Sequence, residues 1–246
     1  ILKNEIYKMT VMVKEQAERL KGDKIRLADS LADISHQLKT PLTSLIVLSD
    51  LLEDDPAEEV KKEFLSRMRS QLVRMEWLTT SLLKLSRLDA GTVSMKKEPA
   101  KIKELVERAI QALSIPLELK RLQVERAGLE GAVMIGDFNW TLEALINILK
   151  NHIEHTQEGG WIRITCTDNP IFTQIVTADN GEGIDRQDLP YIFNRFYRGK
   201  NASQESVGIG LAMAYEIIKQ QDGDITVRSA PGEGTQFTIT LYKQRI

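Results

Sequence analysis

Three glycine-bearing turns follow one another in the second half of the chain: Asp179-Asn180-Gly181-Glu182-Gly183, Gly208-Ile209-Gly210-Leu211 and Gly232-Glu233-Gly234-Thr235. Glycine lets backbone come against a phosphate or a purine without a Cβ in the way, and supplies positive φ where a turn needs it. Gly208 to Leu211 open a helical pattern, where unpaired amides and the helix dipole favour phosphate oxygens. Asp179 closes a strand before such a turn, where a carboxylate can accept a hydrogen bond from an adenine amino group. Asn147 and Asn151 are four apart and share one helix face. Neutral oxygen donors so placed suit a hard cation such as Mg²⁺, which keeps most of its water and bridges phosphates; a solvated or capping pair has the same spacing. Upstream, Ser35-His36-Gln37-Leu38-Lys39-Thr40-Pro41 sets an imidazole among polar neighbours on the outer face of a helix. An exposed imidazole can attack phosphorus, although a lone surface histidine would read no differently. Neither the glycine-rich loop of the dinucleotide fold nor a P-loop lysine is present. His152 and His155 have the spacing of a transition-metal pair, but no further ligand stands nearby in sequence.

These residues need elements to hold them. Ile6, Met9, Val13, Leu20, Leu27, Leu31, Ile34, Leu38, Leu45, Leu48 and Leu52 recur at spacings of three, four or seven, the seam of a long helix. Pro41 deletes one backbone donor inside it and should kink rather than end it. After a polar break at Glu53-Asp54-Asp55-Pro56 comes a second seam: Val60, Phe64, Met68, Leu72, Met75, Leu78, Leu82 and Leu85. Two helices cannot cover their own apolar stripe on both sides, so this hairpin should pair with a second copy as a dimeric four-helix bundle. Past Ala90 and Gly91 the pattern changes. Helices are expected near Ile102 to Leu119, Trp140 to His155 and Val207 to Gln220. Strands are expected at Gln123 to Arg126, Trp161 to Thr167, Ile171 to Asp179, Asp224 to Ser229 and Thr235 to Leu241. The fold class is therefore an α-helical hairpin followed by an α+β sandwich, with helices on one face of a mixed sheet. The mixed charge of Lys96 to Glu107 reads as solvated surface, and the hairpin methionines and Trp77 as packing.

Composition bounds the rest. The 246 residues suffice for two modest domains, and 33 basic against 35 acidic residues leave a net charge of −2, with no global field to recruit nucleic acid or an anionic membrane. The single cysteine, Cys166, cannot form an internal disulfide, which fits a reducing compartment. No run approaches the ~18 apolar residues of a membrane span, so the chain as given is expected to be soluble. It starts at Ile1, directly in a helical pattern, as a fragment of a longer protein would.

From about Ala28 to Leu241 the chain resembles the histidine kinase family of two-component signalling. His36 falls on that family's phosphoacceptor position, and Leu88-Asp89-Ala90-Gly91 resembles the end of its dimerisation hairpin. Asn147 and Asn151 match its asparagine motif, with Asn151 at the Mg²⁺-ligand position, and Asp179, Gly181 and Gly183 match its adenine-contacting turn. Phe193-Asn194-Arg195-Phe196-Tyr197-Arg198 resembles its phenylalanine motif. The resemblance implies Tyr197 and His155 beside the adenine, Arg198 on the phosphates, a lid from Gly199 to Val207, and Gly208, Gly210 and Leu211 anchoring the lid's far end. It implies three parts: a signalling helix over 1–27, a dimerisation and phosphotransfer domain over 28–92, and an ATP-binding domain over 93–246. The implied activity is ATP- and Mg²⁺-dependent phosphorylation of His36, then transfer to the receiver domain of a response regulator. Thr40 would orient a water for dephosphorylating that regulator. The implied setting is the cytoplasmic side of a bacterial membrane sensor, as a homodimer, reaching the membrane only through segments outside this chain.

Three residues depart from the family pattern. Gln37 stands where Glu or Asp is more usual; an amide can orient the ring but cannot take its proton. Glu154 occupies a position often held by a phosphate-facing lysine, a loss that Lys150 could offset. His152 stands where a small residue is usual. Gln37 and Glu154 support a rival reading as an ATP-binding but catalytically impaired scaffold. A gyrase-like or chaperone-like ATPase is a third, against which the His36 segment argues.

Overall fold

The computed structural model of the protein describes residues 2–54, 57–199 and 207–243. It divides into two compact units, Ile1–Leu78 and Thr79–Ile246.

The first unit is a helical hairpin. Helix α1 spans Leu2–Glu53 and α2 spans Glu58–Asp89, the last turns of α2 belonging to the second unit. Pro41 lies inside α1, which stays helical across it. The seam side chains of Ile6, Leu20, Leu27 and Leu31 lie outside the described residues, as do Asp55 and Pro56 of the polar break. Leu48 is buried, and Phe64, Met68 and Met75 are half-buried along α2. Met9, Val13, Val60 and Leu72 of the expected seams instead face outward, together with Leu42, Ile46, Val47, Leu51, Leu65 and Val73. A single hairpin thus leaves rows of apolar side chains uncovered.

The second unit is built on a five-stranded sheet in the order β2-β4-β5-β7-β6: Gln123–Ala127, Trp161–Asp168, Phe172–Asp179, Thr235–Tyr242 and Asp224–Ser229. Only β2 and β4 run parallel; the other neighbours are antiparallel. Along β5 and β7 every second residue is buried, as a sheet covered on one face requires. Against that sheet pack α5 (Phe138–His155) and α6 (Gly210–Gln220), with α3 (Ile102–Ala112) against α5. Ile102, Leu105, Val106 and Ala109 are fully buried at helical spacing on α3. They meet a core that includes Leu145, Ile148, Ile164, Ile175, Phe237 and Ile239. Each large aliphatic or aromatic side chain here contributes about 1.5–3 kcal/mol.

Three expectations for the second unit need correction. The helix expected over Ile102 to Leu119 is two, α3 and α4 (Ser114–Leu119), broken at Leu113 with ψ near 13°. Pro116 has no amide for the carbonyl of Ala112, and its ring would strike that carbonyl if the helix ran on. A two-stranded ladder, β1 (Glu98–Lys101) with β3 (Val133–Gly136), escaped the sequence reading. Its first strand is charged and carries Pro99, so it has no strand-like alternation, although its exposure agrees with the solvated surface expected there. The helix expected from Val207 begins only at Gly210, because Gly208 sits at φ +73°. Among the described residues no helix is long and apolar enough to cross a membrane.

Candidate active site

Helix α5 is fixed at both ends. Asp137 caps its start, Oδ1 accepting from the amides of Asn139 at 3.0 Å and Trp140 at 3.1 Å. The amide of Asp137 itself donates to Gln221 Oε1 at 2.7 Å, tying the start of α5 to the end of α6. At the far end the Lys120 ammonium donates to the carbonyls of Ile153, Glu154 and Thr156 at 2.7, 2.9 and 3.0 Å. A cation there satisfies orphan carbonyls and complements the dipole. Asn147 is buried on this helix: its Nδ2 donates to the carbonyl of Glu143 at 3.0 Å. Its Oδ1 lies 3.2 Å from where a Cβ of Gly210 would stand. The asparagine face and the first turn of α6 therefore abut, with Leu211 half-buried beside them. Asn151 is half-buried one turn further on, and Lys150 is exposed.

The aspartate-glycine turn closes on the other end of α5. Asp179 is 4% exposed, and its Oδ1 accepts from the amides of Gly181 at 2.7 Å and Thr235 at 3.1 Å. Its Oδ2 meets His152 Nδ1, and His152 Nε2 lies 2.8 Å from Thr177 Oγ1. The sequence marked His152 as a departure from the family pattern and as half of a metal-spaced pair with His155; it is a fully buried link between α5 and β5, set edge-on against Phe237 at 5.4 Å between ring centroids. Gly181 has no room for a side chain, since a Cβ would run into the carbonyl of His155. Gly183 and Gly234, at φ +73° and +78°, press against the backbone of Ala230 and Asp179. His155, a quarter exposed, pairs through Nδ1 with Glu182 Oε1 at 2.7 Å. Two of the three glycine turns thus converge on one carboxylate.

The segment Phe193 to Arg198 lies across the same unit. Phe193 packs on Tyr215 and Phe237, and the amide of Phe196, itself at φ +61°, donates to the carbonyl of Gly208 at 2.8 Å. That bond clasps the two ends of the expected lid, whose residues 200–206 lie outside the described residues. Tyr197 donates its hydroxyl to Asp188 at 2.7 Å, which holds the phenol pKa above its ordinary value. Arg198 is exposed. Sequence reasoning gave Arg195 no role, yet it forms a two-pronged pair with Asp89 at the end of α2, Nη1 to Oδ2 being 2.6 Å. This pairing raises the guanidinium pKa despite its burial. The nearby Gln220 side chain donates to the carbonyl of Leu88. No local pattern in sequence could join residues so far apart.

In the hairpin unit His36 is exposed on α1, with Gln37 half-buried beside it. The Thr40 hydroxyl donates to the carbonyl of His36 at 3.3 Å, one turn away. The imidazole is thus presented to solvent. Among the described residues no group of three or more His, Cys, Asp or Glu could hold a metal ion.

Residues 26–91 match the sequence family described as His Kinase A (phospho-acceptor) domain, and residues 136–245 match the family described as Histidine kinase-, DNA gyrase B-, and HSP90-like ATPase. The chain belongs to the two-component sensor histidine kinases. The heme sensor protein HssS of Staphylococcus saprophyticus is 30% identical over 86% of this chain and 45% of its own length. The sensor-like histidine kinase SenX3 of Mycobacterium tuberculosis is 27% identical over 94% of this chain and 57% of its own. The chain therefore spans about half the length of the curated relatives it matches. Two solved structures share its fold. The histidine kinase AdeS of Acinetobacter baumannii has a TM-score of 0.68 at 23% identity, covering 85% of this chain and 98% of that one. The histidine kinase ThkA, solved with the response regulator protein TrrA, has a TM-score of 0.75 at 19% identity, covering 94% and 66%.

Proposed function

We propose that this chain is the catalytic core of a protein-histidine kinase that transfers the γ-phosphoryl group of ATP to His36 and then to an aspartate of a response-regulator receiver domain. The observation that carries the reading is the buried Asp179 carboxylate, met by the amides of Gly181 and Thr235 and by His152, among glycines that let a flat base come close. Such a carboxylate accepts from the amino group of adenine. Gly210 and Leu211 offer the unpaired amides of the first turn of α6 to phosphate oxygens, and Arg198 supplies a guanidinium for the same charge. Tyr197 and His155 flank the base in this reading, and Gly208 hinges the lid.

The pocket suits Mg²⁺ through the neutral oxygens of Asn147 and Asn151 rather than a cage of carboxylates, as fits a cation held mainly by phosphates and water. When bound, with Asn151 as its protein ligand, Mg²⁺ would neutralise charge on the transferring group. An imidazole nitrogen of His36 attacks the γ-phosphorus in line, the bond to the β–γ bridging oxygen breaks, and ADP leaves. The proton on the other ring nitrogen passes to water, because Gln37 can orient the ring but not take the proton. In this reading Thr40, one turn from His36, would orient a water for regulator dephosphorylation, a second activity.

The functional parts proposed are 1–27, 28–92 and 93–246. The uncovered apolar rows of the hairpin support a homodimer through a four-helix bundle. The greater length of the relatives supports a larger sensor protein, of which this chain is, in this reading, the cytoplasmic part of a membrane sensor. Gln37 and Glu154 favour one rival, an ATP-binding scaffold or phosphatase with weak kinase activity. Incubation with γ-labelled ATP and Mg²⁺, beside a His36→Ala control, separates the two. Acid-labile, base-stable label absent from the control is expected; unlabelled protein that binds ATP would favour the scaffold.

A further inference from the structure

We infer that His152 is a positioning residue that holds in place the Asp179 oxygen that reads the nucleobase, and so sets the preference for a 6-amino over a 6-oxo purine. The inference rests on the nucleotide-binding reading above. A carboxylate can only accept, so the proton between His152 and Asp179 sits on Nδ1 of the ring, and Thr177 meets the other ring nitrogen at 2.8 Å. Thr177 and Asp179 are two apart on β5, on its buried face, so one imidazole spans both and cannot turn without losing a partner. The edge-on contact with Phe237 closes a third side.

The consequence follows from counting acceptor positions. Oδ1 of Asp179 already takes two amides, those of Gly181 and Thr235, and has no lone pair left for a ligand. Oδ2 takes His152 and keeps one position. A ligand donor can land only there, beside the His152 N–H, while a carbonyl in its place would face a full negative charge. Without the N–H at Nδ1 the carboxylate is held only through the two amides on Oδ1, and Oδ2 is left to take donors from water in place of the base. The base then loses a preset acceptor, and discrimination falls with affinity. Simple core packing by His152 would lower stability without touching the choice of base.

The test uses two substitutions of matched shape. His152→Asn keeps an N–H close to the position of Nδ1; His152→Leu fills similar space without a donor. Affinities for ADP and IDP, which differ at the purine 6 position, are measured by titration calorimetry on wild type and both variants, with thermal unfolding alongside. The wild type should prefer ADP. H152N should keep the ADP-to-IDP ratio within about threefold, and H152L should lower it about tenfold or more, the scale of one hydrogen bond to a charged group. An unchanged ratio in H152L, or an equal fall in both variants, would overturn the role of His152. Should H152L not fold, H152N decides alone: a ratio within threefold supports the role and a tenfold fall overturns it. A wild-type chain with no affinity for ADP would instead overturn the nucleotide reading itself, and the inference with it.

Discussion

The two units handle their reactive groups in opposite ways. In the hairpin, His36 stands on the solvent face of a long helix, and its described contact is a carbonyl accepting from Thr40. In the α+β unit, Asp179 is 4% exposed and held by Gly181, Thr235 and His152. A nucleophile that must meet both a bound nucleotide and a partner protein has to be reachable. A group that tells one base from another must be dry and preset, because water competes for every hydrogen bond it offers. On the proposed reading, rigidity is concentrated where the base is chosen, and exposure where the phosphoryl group is transferred.

The comparison can be broken from either side. The largest effect is expected from His36→Ala: phosphorylation should vanish while ADP affinity by calorimetry stays within about twofold, because reachability and recognition reside in different units. Asp179→Asn should do the reverse, reducing ADP affinity by about a hundredfold through loss of a charged acceptor, with His36 intact. Its amide would also oppose donors from Gly181 or Thr235, so the denaturant midpoint should fall. Gln37→Glu supplies a base beside His36 and should speed single-turnover autophosphorylation by about tenfold without changing ADP affinity. Gly183→Ala would push a Cβ into the carbonyl of Ala230 at φ +73° and should cost about 1–3 kcal/mol in urea unfolding.

The smallest effect concerns Cys166, whose thiol is pushed up to about 11 by burial, with Asp168 adding and Lys243 opposing. A folded pKa above the ordinary thiol value of 9.0 favours the protonated native thiol, so this contribution is full below pH 9 and is lost as pH rises through about 11. The urea midpoint of wild type should decline slightly more between pH 8 and 10.5 than that of Cys166→Ala.

Legibility in the sequence followed the same divide. Long-period signals came through: both hairpin helices, α5 and the closing strands, with β6 lying on Asp224 to Ser229 as expected. The glycine turns also came through, because positive φ and close backbone contact leave few residues that fit. Short elements did not. The β1–β3 ladder joins four-residue strands more than thirty positions apart, and its charged edge has no alternation to detect. Pro116 was the visible cue for the α3–α4 break and was outweighed by the apolar period around it. Pairings between distant side chains were silent: Arg195 with Asp89, Lys120 with the end of α5, and His152 with Asp179. His152 alone had left a trace, a bulky imidazole where the family pattern has a small residue.

The most direct test is to locate the phosphate. The purified chain is incubated with ATP and Mg²⁺, digested under neutral conditions and mapped by mass spectrometry beside Asp179→Asn. A single phosphoryl group on His36 of the wild type, absent from the D179N chain, is the predicted result. Phosphate on another residue, or steady ATP hydrolysis with His36 unmodified at every time point, would contradict the account.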